Sequence, residues 1–359
     1  MKIGLIDVDS HGFPNIPLMK LSAWHKARGD SVEWYYPLIS GHMDRVYASK
    51  VFSFTADYQY YINADEVVKG GSGYCIDIVN GREVYRPERE KNLPADIEHT
   101  YPDYGLYPEL TKDTAYGFLT RGCPRNCGFC HTTQKDGCKS VKVADLCEFW
   151  DGQKNVILLD QNILAYPDHL ELLDQLIEAG ARVEFNGGLD IRLVNDANID
   201  KIKQLKLKSI HFAFDRYQDG DIITKNLRLF KDATGYDKDK GRIMVYILCN
   251  YDTTLEQDIE RIQFCRSLRY PDINDITEAE AVQIVAGALG LKFVYSERFR
   301  EWQAKKGKLK LAINYGHFDL EDNHELFLGT SWESGTSGGA APCSGIAQAV
   351  EWFRKKMEG

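Results

Sequence analysis

Apolar positions follow two rhythms along this chain. Residues 2–8 (Lys-Ile-Gly-Leu-Ile-Asp-Val) form a short, nearly continuous apolar run of the kind buried in parallel sheets. Residues 15–28 predict a helix, stopped by Gly29 and Asp30. Residues 31–36 and 50–54 read as the second and third strands, and 64–69 as a fourth element leading into Gly70-Gly71. Strand, helix, strand in this order predicts a small parallel, Rossmann-like α/β domain over residues 1–75. The pattern then weakens. Asn80-Gly81 marks a turn, and Pro87, Pro94, Pro102 and Pro108 among several tyrosines predict an extended linker over 76–112.

A strand–helix alternation resumes at Tyr116. Residues 116–119, 156–159, 182–185, 209–214 and 242–248 read as strands, with helices over 168–179, 196–205 and 255–268. Polar residues gather where strands stop: Asp160-Gln161-Asn162, then Asn186 through Arg192, then Asp215. In parallel α/β barrels the loops at those ends build the site. The expected partial barrel spans 113–275 and lacks a convincing sixth strand, because 269–275 is short, polar and interrupted by Pro271. Residues 276–359 predict a small α+β module. Its helices fall at 277–289, 296–306 and 346–357, and strand 308–315 pairs with 325–329. His317, Asp319, Glu321, Asp322 and His324 read as a solvated hairpin loop, and the glycine-rich 334–339 as a flexible loop without a P-loop lysine.

With 359 residues the chain is long enough for two or three domains. Its net charge of −9 argues against a non-specific nucleic-acid binder, while a specific nucleic-acid substrate stays open. No apolar run reaches the roughly 18 residues of a membrane span, and the first residues lack a signal-peptide pattern, so a cytoplasmic location is expected. Nine cysteines suit a reducing compartment. The six outside residues 123–130 are expected mostly as buried thiols.

Those three, Cys123, Cys127 and Cys130, lie in Thr120-Arg121-Gly122-Cys123-Pro124-Arg125-Asn126-Cys127-Gly128-Phe129-Cys130-His131. Thiolates at this spacing can converge on one iron–sulfur cluster. A four-iron cubane needs four ligands, so three cysteines leave one iron free to bind a small molecule. A zinc half-site or a redox dithiol accounts for less: no second C-x-x-C or H-x-x-x-H follows, and a dithiol does not need Cys123.

The motif C-x-x-x-C-x-x-C, with aromatic Phe129 just before the third cysteine and a strand before the first, resembles the signature of radical S-adenosylmethionine (SAM) enzymes. The resemblance implies a [4Fe–4S] cluster on Cys123, Cys127 and Cys130 in a partial (β/α)6-type barrel. SAM would be bound at its open iron, and an external one-electron donor such as flavodoxin or ferredoxin would reduce it. It further implies Phe129 near adenine and Asp160, in the position of the usual G-G-E, at the SAM ammonium. Asn186 and Asp215 fall to the ribose hydroxyls and Arg192 to the methionine carboxylate. Arg121, Arg125 and Lys135 would balance the anionic cluster.

Residues 1–75 resemble the cobalamin-binding domain that precedes this barrel in one subgroup. Asp9 and His11 match the first two positions of D-x-H-x-x-G, but Pro14 replaces the final glycine and the motif sits directly after the first strand. Cobalamin is therefore disfavoured, and His11 is expected as a loop residue or substrate contact. The substrate, whether peptide, RNA or small molecule, stays open. The competing class is a non-catalytic iron–sulfur electron carrier or redox sensor.

Overall fold

The computed structural model describes residues 1–79, 82–236, 243–248, 252–269, 291–293, 309–313 and 316–320. The chain divides into two compact units, Met1–Gly188 with Lys201–Lys208, and Leu189–Asp200 with Ser209–Gly359.

The first unit opens with a four-stranded sheet of order β2-β1-β3-β4, formed by β1 (Lys2–Asp7), β2 (Ser31–Trp34), β3 (Met43–Ser49) and β4 (Ala64–Gly70), all parallel. Helix α1 (Ile16–Ala27) connects β1 to β2 and is capped by the Asn15 side chain, which accepts from the Leu18 amide at 3.2 Å. It buries Leu18 and Leu21 against Ile3 and Leu5 on one sheet face, while Ile6, Met43, Val46 and Tyr35 pack on the other. The crossovers over 35–42 and 50–63 contain no helix, so loops cover that second face.

The expected third strand at 50–54 is wrong. The strand is Met43–Ser49, whose charged Asp44 and Arg45 hide its apolar positions. Residues 51 and 52 are loop because Asp9 takes their amides, Val51 N–H on Oδ1 (2.6 Å) and Phe52 N–H on Oδ2 (2.9 Å). A sheet ladder needs those amides free.

Between the sheet and the next strands lie α2 (Ser72–Cys75), the antiparallel hairpin of β5 (Ile76–Val79) and β6 (Arg82–Tyr85), α3 (Ala95–Glu98) and α4 (Pro108–Thr111). The stretch read as an extended linker thus carries short elements of its own. There follow β7 (Thr114–Gly117), β8 (Thr120–Arg121), α5 (Thr132–Asp136), β9 (Val141–Lys142), β10 (Asn155–Leu158), α6 (His169–Ala179) and β11 (Arg182–Leu189). β10 pairs in parallel with both β7 and β11. α6 buries Leu172, Leu173 and Leu176 and ends at left-handed Gly180, as its sequence predicts. Tyr116 and Ile157 pack with Ile16, tying β7 and β10 to the start of α1.

After α7 (Asp196–Gln204) and β12 (Lys206–Ala213), the second unit continues through α8 (Gly220–Thr234), β13 (Ile243–Tyr246) and α9 (Leu255–Arg269), with β12 and β13 parallel from Ile210↔Ile243 to Ala213↔Tyr246. Helix α8 is absent from the sequence reading, although Ile223, Leu227 and Phe230 form a buried helical stripe. Phe230 meets Phe212 edge-on at 5.0 Å. Farther on, β14 (Leu291–Phe293), β15 (Leu309–Ile313) and β16 (Gly316–Leu320) make an antiparallel sheet. Among the described residues β15 pairs with β14 and β16, which places His317 and Asp319 on a strand and not in a hairpin loop. The elements expected at 277–289, 296–306, 325–329, 334–339 and 346–357, and residues 270–275, lie outside the described residues.

Among the described residues no helix is long and apolar enough to cross a membrane. Cys75 is buried as expected, but Cys138 and Cys147 are exposed.

Candidate functional site

The cysteines occupy a loop closed at its neck. β8 enters it and β9 leaves it, paired antiparallel with Thr120 opposite Lys142 and Arg121 opposite Val141. Inside the neck the chain turns at Gly122, whose φ is +88° and whose hypothetical Cβ would sit 2.1 Å from the Lys139 carbonyl oxygen. Only glycine fits there. The Cys123 amide donates to the Gly137 carbonyl (3.1 Å), and the Cys130 amide to that of Cys127 (3.0 Å), so backbone bonds hold the first and third cysteines. Asn126 adopts φ +45°, a conformation Asn tolerates better than most residues, one position before Cys127.

All three thiols are half-buried and none is in a disulfide. The Cys130 thiol donates to Thr132 Oγ1 (3.2 Å), and the Asn162 side-chain amide donates to Cys123 Sγ (3.5 Å). The structure brings the thiols onto one short loop but does not draw the sulfurs together: among the described residues no three His, Cys, Asp or Glu side chains form a group able to hold a metal ion.

Asp160, Gln161 and Asn162 follow β10 and grip this loop at three points. Asp160 is 3% exposed, and its carboxylate accepts from the Leu119 amide (3.1 Å), the Thr120 amide and the Thr120 hydroxyl (2.7 Å), anchoring the entry strand. Gln161 donates from Nε2 to Asp136 Oδ2 (3.0 Å) at the end of α5, beyond the third cysteine, while Asn162 reaches Cys123. Gly187 of β11 passes so close that a Cβ there would lie 2.0 Å from the Asp160 carbonyl oxygen.

Asp160, expected at a ligand ammonium, is thus buried, with Oδ1 accepting the Thr120 amide and hydroxyl and Oδ2 the Leu119 amide. Burial pushes its carboxyl up to about 6, with the bonds from Thr120 and Leu119 opposing the rise. Two neighbouring acceptors have no such employment. Gln161 Oε1 and Asn162 Oδ1 are buried without a hydrogen-bond partner, a costly state for a carbonyl oxygen. Sequence reasoning named this tripeptide but assigned a role only to its first member.

Two of the three cations expected beside a cluster, Arg121 and Lys135, already face carboxylates. Arg121 lies 3.7 Å from Glu98 and stacks on Phe118, and Lys135 sits 3.3 Å from both Glu90 and Asp136. Phe129 is half-buried in the loop. Asn186 lies within β11 rather than after it, since that strand runs on to Leu189.

Arg192 and Asp215, expected at the carboxylate and sugar of a ligand, lie in the second unit. There Arg192 is held by Asp190 (2.7 Å) and Asp219. Asp215 accepts the Leu248 amide at 3.0 Å, and burial raises its carboxyl above the usual range against the pull of that amide and of Arg261. Arg261 is the residue sequence reading missed. It is 1% exposed on α9 and donates to the Phe214 and Leu248 carbonyls, tying together the ends of β12 and β13 while paired with buried Asp258. Nothing in its sequence context sets it apart from a solvated helix arginine. His11, in the loop after β1, has φ +43° and lies 5.7 Å from the Phe52 ring.

Fold and site together define an α/β protein with parallel sheets and a cysteine loop gripped by the end of the neighbouring strand. No family model matches the chain, and no curated protein matches it. Among solved structures it is similar to the radical S-adenosylmethionine methyltransferase TsrM from Kitasatospora setae, with cobalamin and a [4Fe–4S] cluster bound. The likeness covers 82% of this chain and 81% of that chain, at 11% identity and a TM-score of 0.49. A likeness of that order transfers no residue role, ligand or reaction.

Proposed function

We propose that this protein is a radical SAM enzyme holding a [4Fe–4S] cluster on Cys123, Cys127 and Cys130. The observation that carries the reading is the pairing of three disulfide-free thiols on one neck-closed loop with two buried, partnerless amide oxygens beside them. Soft thiolate donors suit iron–sulfur ligation, and gathering them is coupled to loss of their protons on metal binding. Bound there, such a cluster supplies one electron to the sulfonium of SAM, which yields methionine and a 5′-deoxyadenosyl radical.

The chain's own residues orient and shield. Asp160 fixes the loop entry, Gln161 its exit, and Asn162 donates to the first thiol. Gln161 Oε1 and Asn162 Oδ1 are acceptors we assign to the ammonium of SAM beside Asp160. Phe129 flanks adenine and Asn186 meets the ribose. The substrate is a peptide, an RNA or a small molecule, and the electron donor is a flavodoxin or ferredoxin.

Anaerobic reconstitution with iron and sulfide, followed by dithionite and SAM, tests this. The expected product is 5′-deoxyadenosine, lost in Cys123→Ala. A cluster that forms without that product would make the protein an electron carrier or sensor, and bound zinc without iron would sink the cluster itself.

A further inference from the structure

A cavity of about 650 Å3 opens at the carboxyl ends of β1 and β2. In open parallel sheets that edge is where ligands enter. Its walls include two edge-to-face aromatic pairs, Trp34 with Tyr107 (centroids 5.3 Å apart) and Tyr58 with Tyr60 (5.5 Å). Burial pushes the Tyr58 and Tyr107 phenols up, so both rings stay neutral at physiological pH.

The one charged residue lining this cavity is Asp7. It is half-buried, and its partners are neutral donors: the Ser10 amide (3.1 Å) and hydroxyl (2.6 Å) on Oδ1, and the Tyr107 hydroxyl (2.6 Å) on Oδ2. Among the described residues no lysine, arginine or histidine nitrogen comes within 4.0 Å of this carboxylate. Tyr60 at the rim keeps 69% of its surface exposed.

A carboxylate without a counter-charge, in a cavity lined also by Trp34 and five tyrosines, favours a positive guest over a neutral or negative one. We propose that this cavity binds a small organic cation with an apolar body, a quaternary or alkylated ammonium. The ring faces take its alkyl surface and Asp7 balances its charge. This inference stands apart from the cysteine loop, since none of the cavity residues belongs to it.

Calorimetric titration of the full chain with choline and with its uncharged carbon isostere, 3,3-dimethylbutan-1-ol, isolates the charge. Choline should bind saturably and the isostere about tenfold more weakly, the span of a desolvated cation–π site. Asp7→Asn should bring the two ligands close to equal, and Tyr60→Leu, at an exposed position, should weaken choline without moving the melting temperature. Equal binding of both ligands by the parent chain, binding of neither, or a preference for choline that survives Asp7→Asn overturns the proposal. Should Asp7→Asn fail to fold, choline binding unchanged in Tyr60→Leu overturns it equally.

Discussion

Replacing Asp160 by asparagine separates two opposing energies at the root of the cysteine loop. The asparagine oxygen can keep the Thr120 amide and hydroxyl, but its NH2 group must then face the Leu119 N–H. Burying two donors against each other costs about 1–3 kcal/mol at any pH. Against this, the substitution removes a buried charge. Burial raises the Asp160 carboxyl from 3.8 to about 6, and at about 1.4 kcal/mol per pH unit that shift amounts to roughly 3 kcal/mol.

The sign follows from proton binding. A carboxyl whose folded pKa is raised holds its proton in the folded state while the unfolded chain has already lost it. The stability it contributes is complete below 3.8 and is lost as pH rises through about 6. About two-thirds of the total, roughly 2 kcal/mol, falls between pH 4.5 and pH 7.5. Urea unfolding of the thiol-reduced parent and Asp160→Asn at those two pH values measures it, because the remaining carboxylates cancel in the difference. The variant should be the less stable protein at pH 4.5 and recover by about 2 kcal/mol relative to the parent at pH 7.5. A stability difference that is the same at both pH values refutes the assignment of a raised, buried carboxyl to Asp160.

Three further substitutions have expected outcomes. Gly122→Ala should cost about 1–2 kcal/mol for its positive φ and roughly another 1–3 kcal/mol for the overlap with the Lys139 carbonyl, read by denaturant unfolding. The same variant should reconstitute with less iron than the parent. Arg261→Leu leaves buried Asp258 without its paired cation and two strand-end carbonyls without their donor, so a loss of about 3–5 kcal/mol is expected in thermal or urea unfolding. Asn162→Ala should leave the fold within about 1–3 kcal/mol of the parent yet raise the SAM concentration needed for half-maximal 5′-deoxyadenosine formation. An unchanged SAM dependence removes Asn162 from the binding role.

Elements with one buried stripe or run were legible in the chain, and those held by side-chain-to-backbone bonds were not. β1, α1, β10, α6 and α7 follow their apolar periodicity to within a residue or two at each end. β3 escaped because Asp44 and Arg45 interrupt its pattern, while the aromatic run after it looked more strand-like until Asp9 claimed its amides. α8 was missed although its stripe was present, since it opens on Gly220 and the Asp219 side chain at its N-cap makes no capping hydrogen bond. At the site, the cysteine spacing was readable and the roles of its supports were not. Whether a strand-end carboxylate faces a cavity or a neighbouring backbone depends on long-range packing, as the 40-residue separation of Thr120 and Asp160 makes plain.

The two-residue ladder at the neck of the cysteine loop has a mechanical consequence. Because Thr120–Arg121 and Val141–Lys142 hold each other on either side of it, a peptide bond severed by a protease between Cys123 and Cys127 would leave the upstream end two to five residues from the ladder and the downstream end 14 to 17 residues from it, with the ladder still joining the two pieces. The nicked chain would run as two fragments on a denaturing gel while still migrating as a single particle in native buffer.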